Sequence, residues 1–277
     1  MQTDIQITKT KQILIELNFA IKNKSSWSLL RMGDGGLKLI HAFVHNEEKQ
    51  LLEISKQEGI PLHLFKDILN FWKISANNCN YIDSPAVYFT NEFWDRTRGR
   101  KKKMSQQTLL KLKNWKEIYS SIGIENNNYC NPEINFLMCL TKFGSYSLPK
   151  IMENKKICCI SARNDINKVL SKYDIDVLRI PGKNENQYQY SFLKVVEKIT
   201  TDSCKYDLWL IAAGELGRIY PGLIKFGGGR ALDIGSLIDF WCTKEIPLRL
   251  KPYIQSVDND PLKLTLTKDG REFRKFL

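Results

Sequence analysis

From residue 156 onward, short apolar runs of strand length alternate with longer amphipathic stretches. The apolar runs are 156–161, 176–180, 206–213 and 231–234, and the amphipathic stretches between them are 164–172, 188–200 and 216–226. This alternation is typical of βαβ units, in which parallel strands are joined by right-handed helical crossovers. The run at 206–213 is almost continuously apolar, as expected for a strand that helices cover on both faces. The chain is therefore predicted to be an α/β protein with a mainly parallel sheet.

The N-terminal half is less regular but repeats the same unit once. The sequence here predicts a helix at 5–21 and then the same unit, with a strand at 27–32, a glycine turn at 33–36 and a helix at 37–44. Further on, the pattern favours helices at 47–57, 62–74, 105–121 and 132–143 and one strand at 86–90. We therefore expect a single domain, 1–277, with a largely helical insertion at 46–150 and a βαβ core at 156–241.

Composition excludes wholesale disorder and leaves a basic protein. The 277 residues are 43% hydrophobic, and 42 Lys+Arg against 30 Asp+Glu give a net charge of +12. The basic segments 98–103 and 263–275 raise the possibility of a polyanion surface, but a solvated face is the commoner outcome, and nucleic acid is not an expected partner. No apolar run approaches the ~20 residues of a membrane span, and the polar start lacks a secretion signal, so a cytoplasmic protein with reduced cysteines is expected.

Residues 31–36 (RMGDGG) form the first candidate site, at the carboxyl end of a predicted strand, where open α/β sheets bind ligands. Gly33, Gly35 and Gly36 free the backbone for close approach, and the following helix would offer N–H groups to an anion. Arg31 can pair with phosphate oxygens, and Asp34 supplies a hard oxygen ligand for Mg²⁺ or Mn²⁺. The competing interpretation is a tight strand-to-helix turn that Asp34 caps.

A second candidate site spans residues 212–241. Gly214 follows the most apolar strand and precedes a helix, so the loop 214–217 is a possible phosphate or sugar cradle with Arg218 close by. Asp233 and Ser236 end the next strand and begin another helix. Both loops should open on one sheet edge, since parallel strands place their carboxyl ends together. In the competing interpretation the glycines only form turns and Ser236 is a helix cap.

Arg163 directly follows the strand 156–161 and is expected at the same edge. A guanidinium there could hold phosphates bidentately, and the alternative is an exposed arginine at a helix start. His41 and His45 have the spacing of a helical metal pair but lack the glutamate of an H-E-x-x-H motif, so a packed helix is the better interpretation.

These motifs resemble a known family. The segment 31–36 is similar to the R-[FM]-G-D-G-E motif of GT-D-type glycosyltransferases, formerly domain of unknown function 1792. The segments 207–214 and 231–236 resemble its later D-x-x-[LIV]-[LIV]-x-x-x-G and [AV]-[LIV]-D-[IL]-G-[SH] blocks, and the blocks occur in the family's order.

The resemblance implies a Rossmann-like fold that transfers a sugar from a nucleotide-diphosphate sugar, with a UDP-sugar as the expected donor. The acceptor would be a glycan, a lipid-linked glycan or a protein. It also implies a D-x-E motif that assists binding of Mn²⁺ or Mg²⁺, but Gly36 stands at the glutamate position, so Asp34 is the only acid of the motif. Either Asp233 or Asp239 completes the metal shell, or Arg31, Arg163 and Arg218 neutralise the diphosphate without metal.

The function predicted from the sequence is therefore a glycosyltransferase. Asp34 would be its catalytic and metal-binding acid, and Glu215 and Asp239 are the candidate bases for the acceptor hydroxyl. The first alternative is a non-catalytic module that binds a nucleotide sugar or a polyanion, which the incomplete motif favours. A different Rossmann-like transferase, such as a methyltransferase, is the second.

Overall fold

The computed structural model of the chain describes residues 2–83, 114–130, 147–182 and 185–243, together with residues 134, 135 and 138. For residues 2–9, 34 and 240 it describes the backbone only. The predicted strand at 86–90, the basic segments 98–103 and 263–275, and most of the predicted helices at 105–121 and 132–143 lie outside these residues.

The described strands form one parallel sheet of seven strands in the order β3-β2-β1-β7-β6-β4-β5. The strands are β1 Trp27–Leu30, β2 Tyr81–Asp83, β3 Tyr129–Cys130, β4 Lys156–Ser161, β5 Asp174–Arg179, β6 Leu208–Ala212 and β7 Arg230–Asp233. This architecture confirms the predicted α/β fold with a mainly parallel sheet.

Helices cover both faces of the sheet. The α-helices are α1 Gln2–Lys22, α2 Gly33–Val44, α3 Glu48–Glu58, α4 Phe65–Asn78, α5 Trp115–Ser121, α6 Leu148–Met152, α7 Ile166–Val169, α8 Leu193–Asp202, α9 Tyr220–Phe226 and α10 Leu237–Thr243. Three of these helices follow a short turn of another helical type. A 3-10 helix, Leu62–Leu64, precedes α4, and a second one, Leu216–Arg218, precedes α9. A π-helical turn, Tyr188–Phe192, precedes α8.

The alternation of side chains along the strands creates two cores. In β6, Leu208 and Leu210 pack into one core with α1, α6, α7 and α10, whereas Trp209 and Ile211 pack into the other with α2, α4, α8 and α9. Every residue from Leu208 to Ile211 is fully buried. Burial on both faces explains the unbroken apolar run in the sequence.

Some elements differ from their predicted form. Residues 33–36 are the first turn of α2 rather than a separate glycine turn. The predicted helix at 164–172 shortens to α7. The region 46–150 contributes helices and also the sheet strands β2 and β3, which have too few residues to produce a visible apolar run.

Among the described residues, none of the helices combines the length and apolarity that crossing a bilayer requires. The described cysteines are all free thiols, and four of them are buried.

Candidate active site

A cleft of about 410 Å³ opens at the carboxyl edge of the sheet. It is lined by residues 161–163, at the carboxyl end of β4, and by residues 212–215, at the carboxyl end of β6. After β4 the chain continues into α7 on one face of the sheet, and after β6 it continues into α9 on the other face. Adjacent parallel strands whose connections leave to opposite faces create the crevice where open α/β sheets bind ligands.

The segment that joins β1 to α2 is bonded to Asp83, at the end of β2. The Asp83 carboxylate accepts hydrogen bonds from the backbone N–H of Met32, at 2.6 Å, and of Gly33, at 3.1 Å. A carboxylate of the protein therefore already bonds the N–H groups of Met32 and Gly33, and the expected contact of a ligand anion with the other N–H groups of this turn stays a prediction. Burial raises the pKa of Asp83, and the positive charge of Arg31 opposes that rise.

Asp233 holds the same segment from the other side. One of its oxygens accepts from the N–H of Arg31 at 3.2 Å and the other from the N–H of Gly235 at 3.0 Å. Asp233 is 6% exposed, and burial raises its pKa to about 7, although Arg31 and Arg218 favour the ionised form. Asp233 is thus a carboxyl that lines the cleft and has a pKa close to neutral pH.

Arg31 lies between these acids and faces the cleft. Its guanidinium packs directly on Gly235, where a Cβ would overlap Nη1. Gly235 also has φ +45°, a conformation that glycine adopts without strain. The turn after β7 therefore needs glycine for two reasons, and one of them is the position of Arg31.

Arg218 is buried and held by three partners. Nε and Nη2 donate to the carbonyl oxygen of Met32 at 2.9 and 2.7 Å, and Nη1 is paired with Glu215. Its guanidinium also lies 4.9 Å from the centre of the Trp72 ring, within the range of a cation–π contact. This arginine borders the cleft and at the same time joins the β6–α9 loop to the start of α2.

Gly35 and Gly36 make room for that arginine. A Cβ on Gly36 would stand 2.9 Å from Arg218 Nε, and a Cβ on Gly35 would stand 2.6 Å from Glu215 Oε1. Neither glycine lines the cleft. In the structure these two glycines serve the packing of the α2 N-terminus rather than a close approach to ligand.

Arg163 lies at the rim with its side chain 35% exposed. Its Nε is 3.5 Å from an oxygen of Asp165 and 3.7 Å from one of Asp239. A side-chain hydrogen bond with Cys242 is the largest cause that raises the pKa of Arg163, and the charges of Asp165 and Asp239 add to it. Burial raises the pKa of Asp239, although its side chain remains 59% exposed. The rim therefore carries a loosely held ion pair that a ligand could reorganise.

Most of the residues predicted for the site meet in this cleft. Those that line it are Arg31, Gly33, Arg163, Gly214, Glu215, Arg218, Asp233, Ser236 and Asp239. Asp34 belongs to the first turn of α2, and its side chain lies outside the described part of the structure.

Three residues of the site have no sequence motif and were not predicted. Asp83 ends a strand of three residues, and Glu58 and Gln187 line the cleft from segments that contain no glycine pattern. For Asp83 a signal exists, since Ile82-Asp83 at the end of β2 repeats the apolar-acid pattern of Leu232-Asp233 at the end of β7.

The described residues do not fit a divalent cation. Within that part of the chain, no group of three His, Cys, Asp or Glu side chains is placed to hold a metal ion. The oxygens of Asp83 and Asp233 are directed at backbone N–H groups, and Asp239 faces Arg163.

Comparison with known proteins places this geometry in a structural class. No protein-family model matches the chain, and no curated protein matches it. A solved structure described as "Selenomethionine substituted structure of domain of unknown function 1792 (DUF1792)" matches with a TM-score of 0.51 at 16% identity, over 86% of this chain and 85% of that one. This chain has the DUF1792 fold.

The family resemblance predicted from the motifs is thereby confirmed at the level of the fold, and at 16% identity the likeness concerns the fold alone. A second structure, described as "The highly conserved domain of unknown function 1792 has a distinct glycosyltransferase fold", matches with a TM-score of 0.47 at 16% identity, over 86% of this chain and 85% of that one.

Proposed function

We propose that the protein is a glycosyltransferase that takes a sugar from a nucleotide-diphosphate sugar, with a UDP-sugar as donor. The observation that carries this proposal is the cleft at the switch between β4 and β6, which is lined by Arg31, Arg163 and Arg218. Its volume of about 410 Å³ is within the range of small-molecule sites, and guanidinium groups match phosphate oxygens.

The chemistry is a matter of charge. When the anomeric C–O bond of the donor breaks, negative charge develops on the departing diphosphate, and fixed positive groups lower the barrier by stabilising it. Arg31 faces the cleft from the floor, and Arg163 stands at the rim, where it can exchange Asp239 for a phosphate. Hydrogen bonds to the carbonyl oxygen of Met32 hold Arg218 in place, so this residue contributes its positive charge without a direct contact to the phosphates.

The acceptor hydroxyl must lose a proton as the new glycosidic bond forms. Asp239 is the better of the two candidate bases, because it is exposed at the rim and burial raises its pKa towards neutral pH. Glu215 is paired with Arg218, which holds its carboxylate in the wall of the cleft. The acceptor would be a glycan, a lipid-linked glycan or a protein.

The second candidate function is a module that binds a nucleotide sugar without turnover. Two observations favour it: Asp83 occupies the N–H groups of the first motif, and Arg218 fills the space beside Gly36 where the family motif carries its second acid. Charge neutralisation by arginines rather than by Mn²⁺ or Mg²⁺ is compatible with both functions.

Calorimetry with UDP and with UDP-glucose, with and without Mn²⁺, tests the binding step. Arg163→Ala should weaken binding about tenfold, the loss of one charge-assisted contact, and the exposed Lys194→Ala on α8 should leave it unchanged. If Arg163→Ala binds as well as the wild type, the arginine site is refuted.

Release of nucleoside diphosphate from the donor then separates the two functions. Turnover that Asp34→Asn abolishes supports the transferase and the predicted role of Asp34. Donor binding without any turnover, with each of the common sugar nucleotides, supports the binding module.

A further inference from the structure

The cleft is also lined by an acid and an amide that the charge mechanism does not use. Glu58 ends α3 and lines the cleft, as does Gln187, which follows β5. Both approach Gly214: the space that a Cβ there would fill lies 2.9 Å from Glu58 Oε2 and 3.6 Å from Gln187 Oε1. Because Gly214 has no side chain, two oxygen acceptors lie close to its backbone at the wall of the cleft.

The position of Glu58 is fixed by the residue that follows it. Gly59 ends α3 with φ +67°, and a Cβ on it would overlap the backbone of Asn186. Asn186 itself has φ +53°. This close backbone contact holds the end of α3 against the segment that contains Gln187.

Gln187 is equally fixed. It is 5% exposed, and its Nε2 donates to the carbonyl oxygen of Ala213 at 3.1 Å. This hydrogen bond orients the amide so that Oε1 faces the Gly214 side. Among the described residues, neither Oε1 nor the Glu58 carboxylate receives a hydrogen bond.

A carboxylate in a cleft for diphosphate is unfavourable unless it binds something other than phosphate, because like charges repel. A carboxylate can only accept hydrogen bonds, and a pair of neighbouring hydroxyl groups supplies two donors at the right spacing. Charge-assisted hydrogen bonds of this kind are about twice as strong as neutral ones.

We propose that Glu58, assisted by Gln187 and held close to the backbone of Gly214, binds a vicinal diol of the donor and so determines its specificity. This inference rests on the proposed nucleotide-sugar site. Two parts of such a donor present this chemistry, the ribose of the nucleotide and the transferred sugar.

The test measures the dissociation constants of UDP, 2′,3′-dideoxy-UDP and UDP-glucose for the wild type and for Glu58→Gln. If Glu58 acted only as a nearby negative charge, its removal would tighten binding of the anionic ligands. The proposed diol contact predicts the opposite sign, a weakening of about tenfold. Glu53→Gln, an exposed position on the same helix, is the matched control.

The three ligands distinguish the source of the diol. Weaker binding of UDP but unchanged binding of dideoxy-UDP assigns Glu58 to the ribose, and weaker binding of UDP-glucose alone assigns it to the transferred sugar. Unchanged or tighter binding of all three ligands by Glu58→Gln overturns the inference while leaving the proposed function intact. If the wild type binds none of them, the proposed function fails first, and this inference fails with it.

Discussion

The buried carboxyl of Asp233 predicts that the protein loses stability as the pH rises. Burial raises the pKa of this group from an ordinary 3.8 to about 7. Between these values the folded chain holds a proton that the unfolded chain has released, so each rise in pH favours unfolding. From about pH 5 to about pH 8, this group alone should remove about 3 kcal/mol from the free energy of unfolding, because one unit of pKa difference corresponds to about 1.4 kcal/mol.

Urea unfolding followed by tryptophan fluorescence, at both pH values, measures this loss. Asp233→Asn cannot titrate, so its stability relative to the wild type should rise by about 3 kcal/mol between the lower and the higher pH. The variant also lacks one acceptor for the N–H groups of Arg31 and Gly235, but that cost is the same at both pH values. Asp174→Asn, an exposed position on β5, should show no such trend. A difference between the wild type and Asp233→Asn that does not change with pH would refute the buried titration.

Two further predictions concern the start of α2. Asp83→Ala leaves the N–H groups of Met32 and Gly33 without their acceptor and should lower the free energy of unfolding by about 4 kcal/mol. The exposed control Asp174→Ala should lower it by less than about 0.5 kcal/mol. Equal losses for the two variants in urea unfolding would contradict the role of Asp83. Gly36→Ala brings a Cβ to 2.9 Å from Arg218 Nε and should lower the free energy of unfolding by about 2 kcal/mol. Most of this loss should disappear when Arg218 is also replaced by alanine. A double-mutant cycle without coupling between the two positions would show that they do not compete for space.

The strands at the centre of the sheet could be predicted because burial on both faces makes their consecutive residues apolar. β4 and β6 are covered on both faces, so nearly every position is apolar, and the segments between them carry helical spacing. β2 and β3 have three and two residues, and runs that short carry no periodicity. Their place in the sheet depends on packing between distant segments.

The candidate site divides in the same way. Glycine-rich segments at strand ends predicted Arg31, Gly214 and Asp233, because the edge of a parallel sheet gathers the residues that follow its strands. Glu58 and Gln187 reach the cleft through the contact of Gly59 with Asn186, which no local pattern encodes. The sequence also favoured residues 31–36 as a binding site for phosphate, whereas Asp83, far along the chain, already accepts from two of the backbone N–H groups there, those of Met32 and Gly33.

The backbone at residues 31–33 is bonded to side chains 50, 186 and 202 residues away in the sequence. Contacts between such distant parts of a chain cannot form until the intervening loops have closed, and loop closure slows folding. A chain in which these loops have not yet closed is therefore expected to lack an organised pocket, even where individual helices have already formed. During refolding, the proposed binding of a nucleotide sugar should therefore return last, after the far-ultraviolet circular dichroism signal has recovered.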